Sequence, residues 1–233
     1  DAAPLKDSLM NLATTNEAGA IYNTYLNSFK NEDGSVNWLP VCADAHGLVV
    51  NRDLFVQYGI PLPTDYASFV AACKAFEEVG IRSFTADYLY DYTCMETLQG
   101  LSAGELTTIA GRKWRTVYSD PANNTRVGLD DTVWPGGFER MEQFIQDTGL
   151  TAADLELNYD DVVEMFGNGQ LAMYFGSSAG VGMFQEQGID ATFLPIFSQN
   201  GEKWLMTTPY FQVALNRDLE QDPTRREKAM QIL

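Results

Sequence analysis

Residues 41–79 read VCADAHGLVVNRDLFVQYGIPLPTDYASFVAACKAFEEV, and their order decides the fold. Leu48-Val49-Val50 is a short apolar run, too short for a helix and β-branched enough for a buried strand. Asn51 is placed to cap a helix over Arg52–Tyr58, and Gly59 sits where a helix end wants positive φ. Pro61 and Pro63 forbid helix through the link. Thr64 is then expected to cap a second helix, in which Phe69, Cys73, Phe76 and Val79 recur at three- and four-residue spacing. The segment reads strand, short helix, proline turn, long amphipathic helix.

Working outward, the first 40 residues predict helices over 5–12 and 18–29, a turn at Asp33-Gly34 and a short strand ending at Pro40. Downstream, the pattern predicts a strand over 83–86, a Tyr-rich loop and a helix over 92–101. Residues 111–133 are polar and carry no clear period, with a turn at Asp120-Pro121-Ala122-Asn123-Asn124. Further helices are expected over 137–147, over 160–166 with Asn158 or Asp160 as cap, and over 179–187, with a strand over 171–175. A return strand over 211–216 and a helix from Pro223 complete the chain. Alternating strands and helices favour an α/β fold with parallel sheets.

Composition limits what such a chain can do. It has 233 residues, 45% hydrophobic, enough for one large core or two lobes. The net charge is −17, and the Lys and Arg residues read as scattered, so neither nucleic acid nor an anionic membrane surface is expected as a partner. No apolar run approaches the roughly 18 residues of a membrane span, and no signal peptide is visible. Cys42, Cys73 and Cys94 are odd in number and lack metal-ligand spacing, so zinc and a disulfide framework are not expected. Cys73 lies on the apolar face of its helix, where a small buried thiol is the default, and the other two could be the same. No metal or other cofactor is expected.

The ordered blocks resemble the carbohydrate-type solute-binding proteins of bacterial ABC importers, the maltodextrin-binding-like family 1. Leu39-Pro40, Asp44 to Gly47, Leu48 to Ile60, Pro61, Pro63, Thr64, Tyr66 and Gly80-Ile81 carry the first match. Met165-Phe166-Gly167-Asn168-Gly169-Gln170-Leu171-Ala172-Met173 is similar to the family's F-x-x-G-x-x-A-M block, and Phe193-Leu194-Pro195 opens a third. The resemblance implies a periplasmic-binding-protein-like fold, with two lobes that each carry a central sheet flanked by helices, hinged by crossing strands. On that reading residues 1–43 belong to the first lobe, 44–194 form the second, and 195–233 return into the first. The family opens with elements that would precede Asp1 and ends with further helices, so the chain reads as a fragment truncated at both ends, of a protein nearly twice as long.

A sugar site needs flat apolar surfaces for pyranose faces and planar polar groups for paired hydroxyls. Asp44 stands where the resemblance places an acidic residue that bonds sugar hydroxyls, and a carboxylate suits two adjacent donors. Asp87, Tyr88, Tyr90, Asp91 and Tyr92 follow a strand, and ligands of α/β sheets sit at strand carboxyl ends. One alternative packs alternate tyrosines beneath the loop. Gly176 and Ser177 end a strand and offer N–H and hydroxyl groups at a helix start. The family's usual tryptophan just after this glycine is replaced by Ser178 and Ala179. His46 is a lone histidine placed to bond a ligand hydroxyl, and Tyr210 is the leading aromatic of the return segment. Trp38, Trp114, Trp134 and Trp204 read by default as packing residues, although Trp134-Pro135-Gly136-Gly137, read as a loop before a helix, could project into the cleft.

Two enzyme readings compete. Gly176-Ser177-Ser178-Ala179-Gly180 fits the G-x-S-x-G elbow of serine esterases, yet the only histidine, His46, precedes the serine rather than following it. The pairs Asp130-Asp131 and Asp160-Asp161 evoke glycosidase acids but sit where caps and solvated faces are expected. Asn123-Asn124-Thr125 fits a glycosylation sequon, without expected use. The expectation is a non-enzymatic receptor, monomeric when intact and outside the cytoplasm in the periplasm or as a cell-surface lipoprotein. It would bind oligosaccharide, close about a hinge and dock on membrane permease subunits. The same fold with a peptide or amine solute is the remaining alternative.

Overall fold

A computed structural model describes residues 3–119, 122 and 134–232. The chain divides into two compact units, residues 1–44 with 207–233 and residues 45–206. In chain order come two short helices, α1 (Asn16–Ala20) and α2 (Asn23–Leu26), then the long strand β1 (Leu39–Asn51). The larger unit continues with α3 (Arg52–Tyr58), α4 (Tyr66–Glu78), β2 (Arg82–Thr85), α5 (Asp91–Leu101), α6 (Ala103–Leu106) and α7 (Ile109–Ser119). It then adds α8 (Trp134–Thr148), α9 (Tyr159–Gly167), β3 (Leu171–Ser177), α10 (Ala179–Glu186), β4 (Ala191–Leu194), β5 (Ile196–Phe197) and β6 (Lys203–Trp204). The strand β7 (Met206–Val213) and helix α11 (Pro223–Met230) return the chain to the smaller unit.

The sheet of the larger unit runs β2-β3-β1-β4. Its pairing is mixed rather than all parallel: β2 lies parallel to β3, while β1 is antiparallel to both β3 and β4. Alternation along the strands divides the core. Leu48, Val50, Met173, Phe175 and Phe84 face one side, where α3 and α4 add Leu54, Phe55, Phe69, Cys73 and Phe76. Val49 and Tyr174 face the other, covered by Val162 and Phe166 of α9 and Phe184 of α10. Helices therefore cover both faces of the sheet, which explains why residues 48–50 form an unbroken apolar run. Each fully buried Phe contributes about 1.5–3 kcal/mol of apolar transfer. Burial also pushes the Cys73 thiol up to about 12, which makes it an inert packing group.

The local expectations around β1 meet a specific outcome. The Asn51 side chain accepts from the Leu54 N–H and caps α3, and Gly59 ends that helix at φ +65°. The cap of α4 is Asp65, not Thr64: its carboxylate accepts from the Ser68 N–H, and Ser68 Oγ accepts in return from the Asp65 N–H. Val79 lies just past the helix and is exposed, so the buried stripe ends at Phe76. The strand expected over three residues is thirteen long and runs through Pro40. Residues 109–119 form a helix where no period was read, and Trp134 starts α8 rather than lying in a loop before it, with its ring buried against Trp114 in the packing role expected by default. The turn over 120–124, the sequon and the Asp130-Asp131 pair lie outside the described residues, apart from Ala122.

In the smaller unit the expected helix over 5–12 is a short 3-10 turn, Ala3–Ser8, and the one over 18–29 is broken into α1, α2 and a 3-10 turn. Met10, Leu12, Ala18, Val36 and Leu39 form its core. β7 pairs with β1 and covers 206–213 rather than 211–216, and α11 starts at Pro223 under an Asp222 cap. The sequence reading turns the chain back at residue 195, whereas the compact units divide after residue 206. Ile196 and Phe197 pair with β6 and are buried in the larger core, which holds this stretch there.

Asp154 ties β2 to the 3-10 turn Ala152–Glu156 in the larger unit. It is 3% exposed and accepts from Arg82 Nη2, Thr85 Oγ1, and the Thr151 N–H and hydroxyl. Burial by itself would raise its carboxyl, but the Thr85 and Thr151 hydrogen bonds and the Arg82 guanidinium hold it below the usual carboxylate range. A carboxyl depressed in the folded state stabilises fully above its unfolded value, near 4, and that contribution is lost as pH falls through the folded value. Asp154→Ala is expected to cost about 2–4 kcal/mol in chemical denaturation, because donors of Arg82, Thr85 and Thr151 lose their acceptor. It should also remove part of the acid limb of stability between about pH 4 and lower pH. An unchanged acid limb would show that Asp154 does not carry it.

Candidate functional site

β2 and β3 end at the same edge of the larger sheet because they run parallel. β1 enters that edge antiparallel to β3, so His46 stands opposite Ser177 and Gly47 opposite Gly176. The turn after β3 is tied to β1 by the backbone: the Ser178 N–H donates to the Ala45 carbonyl at 2.7 Å, and the Ala45 N–H donates to Ser178 Oγ at 3.3 Å. Residues widely separated in sequence thus become neighbours through ladder pairing alone.

His46 finds a partner that sequence reasoning missed. Its Nδ1 lies 2.7 Å from Oε2 of Glu96, which projects from α5 one turn past the helix start, and both side chains are partly exposed. A carboxylate oxygen accepts, so Nδ1 carries the proton and the ring is held in place. The signal available in sequence was only an acidic residue in the first turns of a helix after a strand end. Nothing in the spacing paired it with position 46.

The loop 86–90 leaves β2 at this same edge. Thr93 Oγ1 donates to Asp87 Oδ1 at 2.9 Å and the Tyr92 hydroxyl to Oδ2 at 3.3 Å, so the loop closes on the first turn of α5. Partial burial and the Asp87 carboxylate hold the Tyr92 phenol above its ordinary value, keeping it a neutral donor. Tyr90 and Tyr92 are 38% and 56% exposed, and their rings stack at 5.4 Å with planes 13° apart. Asp91 is exposed at the start of α5.

Tyr88 departs from its expected role. It is 5% exposed, with its hydroxyl 3.3 Å from Thr97 Oγ1 and its ring in the core. The loop therefore buries one tyrosine and presents the other two. Gly176 and Ser177 sit on the last two positions of β3, and Ser177 Oγ accepts from the Ala179 N–H at 3.0 Å. The smaller unit carries Asp44 on β1, partly exposed, and Tyr210 on β7, half-exposed with its ring edge-on to Phe211. Phe211 holds a left-handed φ of +49°, a costly conformation for a bulky residue that no sequence pattern announced.

The edge offers carboxylates, hydroxyls and exposed ring faces, which is the chemistry of hydroxyl recognition. It does not assemble a nucleophile elbow: Ser178 has ordinary helical backbone (φ −58°, ψ −25°) and no strained turn. Among the described residues no group of three or more His, Cys, Asp or Glu side chains could hold a metal ion, and no helix is long and apolar enough to cross a membrane. Cys42 is exposed, Cys94 partly buried and Cys73 buried, all as free thiols, so only Cys73 is the fully buried packing group expected.

The ladder leaves no room for a side chain at Gly47. A methyl group there would lie 2.6 Å from the Leu194 carbonyl oxygen and 2.9 Å from the Phe193 ring. Gly47→Ala is expected to destabilise by about 1–3 kcal/mol by forcing β4 away. Gly19→Ala, where a methyl meets nothing within 4 Å, should be neutral or slightly stabilising. Equal midpoints for the two variants in urea would contradict the tight β1–β4 approach.

The family model described as bacterial extracellular solute-binding protein matches residues 2–215. No curated protein matches the chain. Among solved structures, it is similar to a probable secreted solute-binding lipoprotein from Streptomyces coelicolor, at 16% identity and a TM-score of 0.76 over 96% of this chain and 57% of that one. It is also similar to the apo form of RafE from Streptococcus pneumoniae, at 18% identity and a TM-score of 0.66 over 92% of this chain and 55% of that one. A sugar transporter from Bacillus licheniformis in complex with stachyose aligns at 14% identity and a TM-score of 0.68, over 97% of this chain and 60% of the other. These identities show likeness of fold, and the chain spans little more than half the length of these structures.

Proposed function

The chain belongs to the bacterial extracellular solute-binding proteins, and from that premise we propose that it is the carbohydrate-binding receptor part of an ABC importer. The observation that carries this reading is the match of the family model over residues 2–215. Similar structures in complex with stachyose, raffinose and maltose support a sugar. On the larger unit the proposed contacts are His46, Asp87, Tyr90, Asp91, Tyr92, Gly176 and Ser177, with Glu96 added as the partner of His46. Asp44 and Tyr210, carried by the smaller unit, are proposed as further contacts. Tyr88 supports the loop from beneath.

The proposed mechanism follows from hydroxyl chemistry. Carboxylates accept from adjacent sugar hydroxyls, and the outer faces of the Tyr90–Tyr92 stack offer the flat apolar surface that a pyranose C–H face needs. Solute then favours a closed form of the whole protein by its differential affinity for that form, and the closed form docks on the permease. Extracytoplasmic placement, a lipid anchor on the whole protein, a monomeric state and the absence of turnover belong to the same proposal.

Calorimetric titration of the whole protein with mono- and oligosaccharides, and with amines as controls, tests it. Saturable binding of one sugar class is expected. Asp44→Ala should weaken it about 10–100-fold, as loss of a charge-assisted hydrogen bond does. Tyr90→Ala and Tyr92→Ala should each weaken it by about threefold to tenfold through lost stacking. Binding of amines alone would move the assignment to a non-sugar solute, and turnover of an ester or glycoside would replace it with a hydrolase.

A further inference from the structure

On a chain of net charge −17, the helix α7 stands apart. Its eleven residues, IAGRKWRTVYS, hold Arg112, Lys113 and Arg115 and no carboxylate, although the whole chain has only 15 Lys and Arg. The sequence reading took the cations as scattered; helix formation gathers these three. Ile109, Arg112, Lys113 and Thr116 lie three and four apart and share one exposed face, and Arg115 flanks it. Trp114 points the other way, into a small core with Leu98, Leu106 and Trp134. Ion pairs among the described residues use His46, Arg52, Arg82 and Arg140, not these three cations. Ile109, 90% exposed, lies on the charged face, whereas Tyr118 stacks on Trp114 on the other side of the helix.

We propose that α7 is a docking surface for an acidic protein segment that also bears apolar side chains. Charge complementarity supplies the attraction, and the exposed Ile109 on the same face supplies apolar contact. Screening decides the shape of the partner. Charges act over about 8 Å at physiological salt, so a narrow segment laid along α7 feels the three cations and little of the carboxylate excess elsewhere. A planar anionic membrane would face the rest of this acidic surface as well and be repelled by it. The inference does not depend on the identity of the transported solute.

The test is fluorescence anisotropy of a labelled peptide that repeats Glu-Glu-Leu, with its Gln-Gln-Leu counterpart as control, at about 50 mM and about 500 mM salt. Saturable binding of the acidic peptide alone is expected, lost at the higher salt. Arg112→Glu/Lys113→Glu/Arg115→Glu should weaken it at least about tenfold. The milder Lys113→Gln/Arg115→Gln should weaken it in the same direction if the triple variant does not fold. Lys74→Glu, which reverses an exposed cation on α4, should leave it unchanged. No saturable binding at low salt, or equal binding by the α7 variants, overturns the proposal. So does α7-dependent binding to phosphatidylcholine vesicles containing phosphatidylglycerol that displaces the peptide, which would make the partner a lipid surface.

Discussion

β1 is the constraint on which the larger unit depends. Over Leu48, Val49 and Val50 it pairs with β3 on one side and β4 on the other, so both edges of its backbone are used. Those three side chains are at most 3% exposed and divide the core into its two halves by simple alternation. A slip of one residue would exchange the halves, so the register is fixed by packing. The same register sets His46 against Ser177, which means that the geometry of the candidate site is inherited from the core rather than built separately.

The polar interior follows the opposite logic to the surface. Carboxylates outnumber cations more than two to one over the chain, yet two carboxylates drawn into the larger unit each meet a cation, although Oε2 of Glu105 is buried without a hydrogen-bond partner. Asp154 is surrounded by donors from β2 and from the Thr151 turn, and Glu105 pairs with Arg140, whose Nε also donates to the Leu101 carbonyl at the end of α5. Arg140 therefore fastens α8 to α5 and α6. Such pairs specify which helix packs where, while the unmatched acidity is left to solvent. The exposed cations of α7 are the local exception to that division.

Within the candidate site, what was legible depended on the range of the interaction. Asp87, Tyr90, Asp91 and Tyr92 were legible as candidates because a strand end followed by aromatic and acidic residues is a local pattern. The fate of Tyr88 was not, because all three tyrosines have the same alternation in the chain. Only the closure of the loop through Asp87, Tyr92 and Thr93, with the Leu89 N–H donating to the Leu157 carbonyl, turns one ring inward and two outward. Glu96 was missed because its partner lies 50 residues away on β1.

Local chemistry determined the element order, the Asn51 cap, the positive-φ glycine at 59, the apolar face of α4 through Phe76 and the family resemblance. Each needs only neighbours within a few residues, where propensity, capping and periodicity act. Tertiary structure alone decided the length and mixed pairing of β1, the His46–Glu96 pair and the gathering of cations on α7 where no period was read. These depend on which distant backbone or side chain supplies the partner, and hydrogen-bond satisfaction and burial settle that only when the whole unit packs.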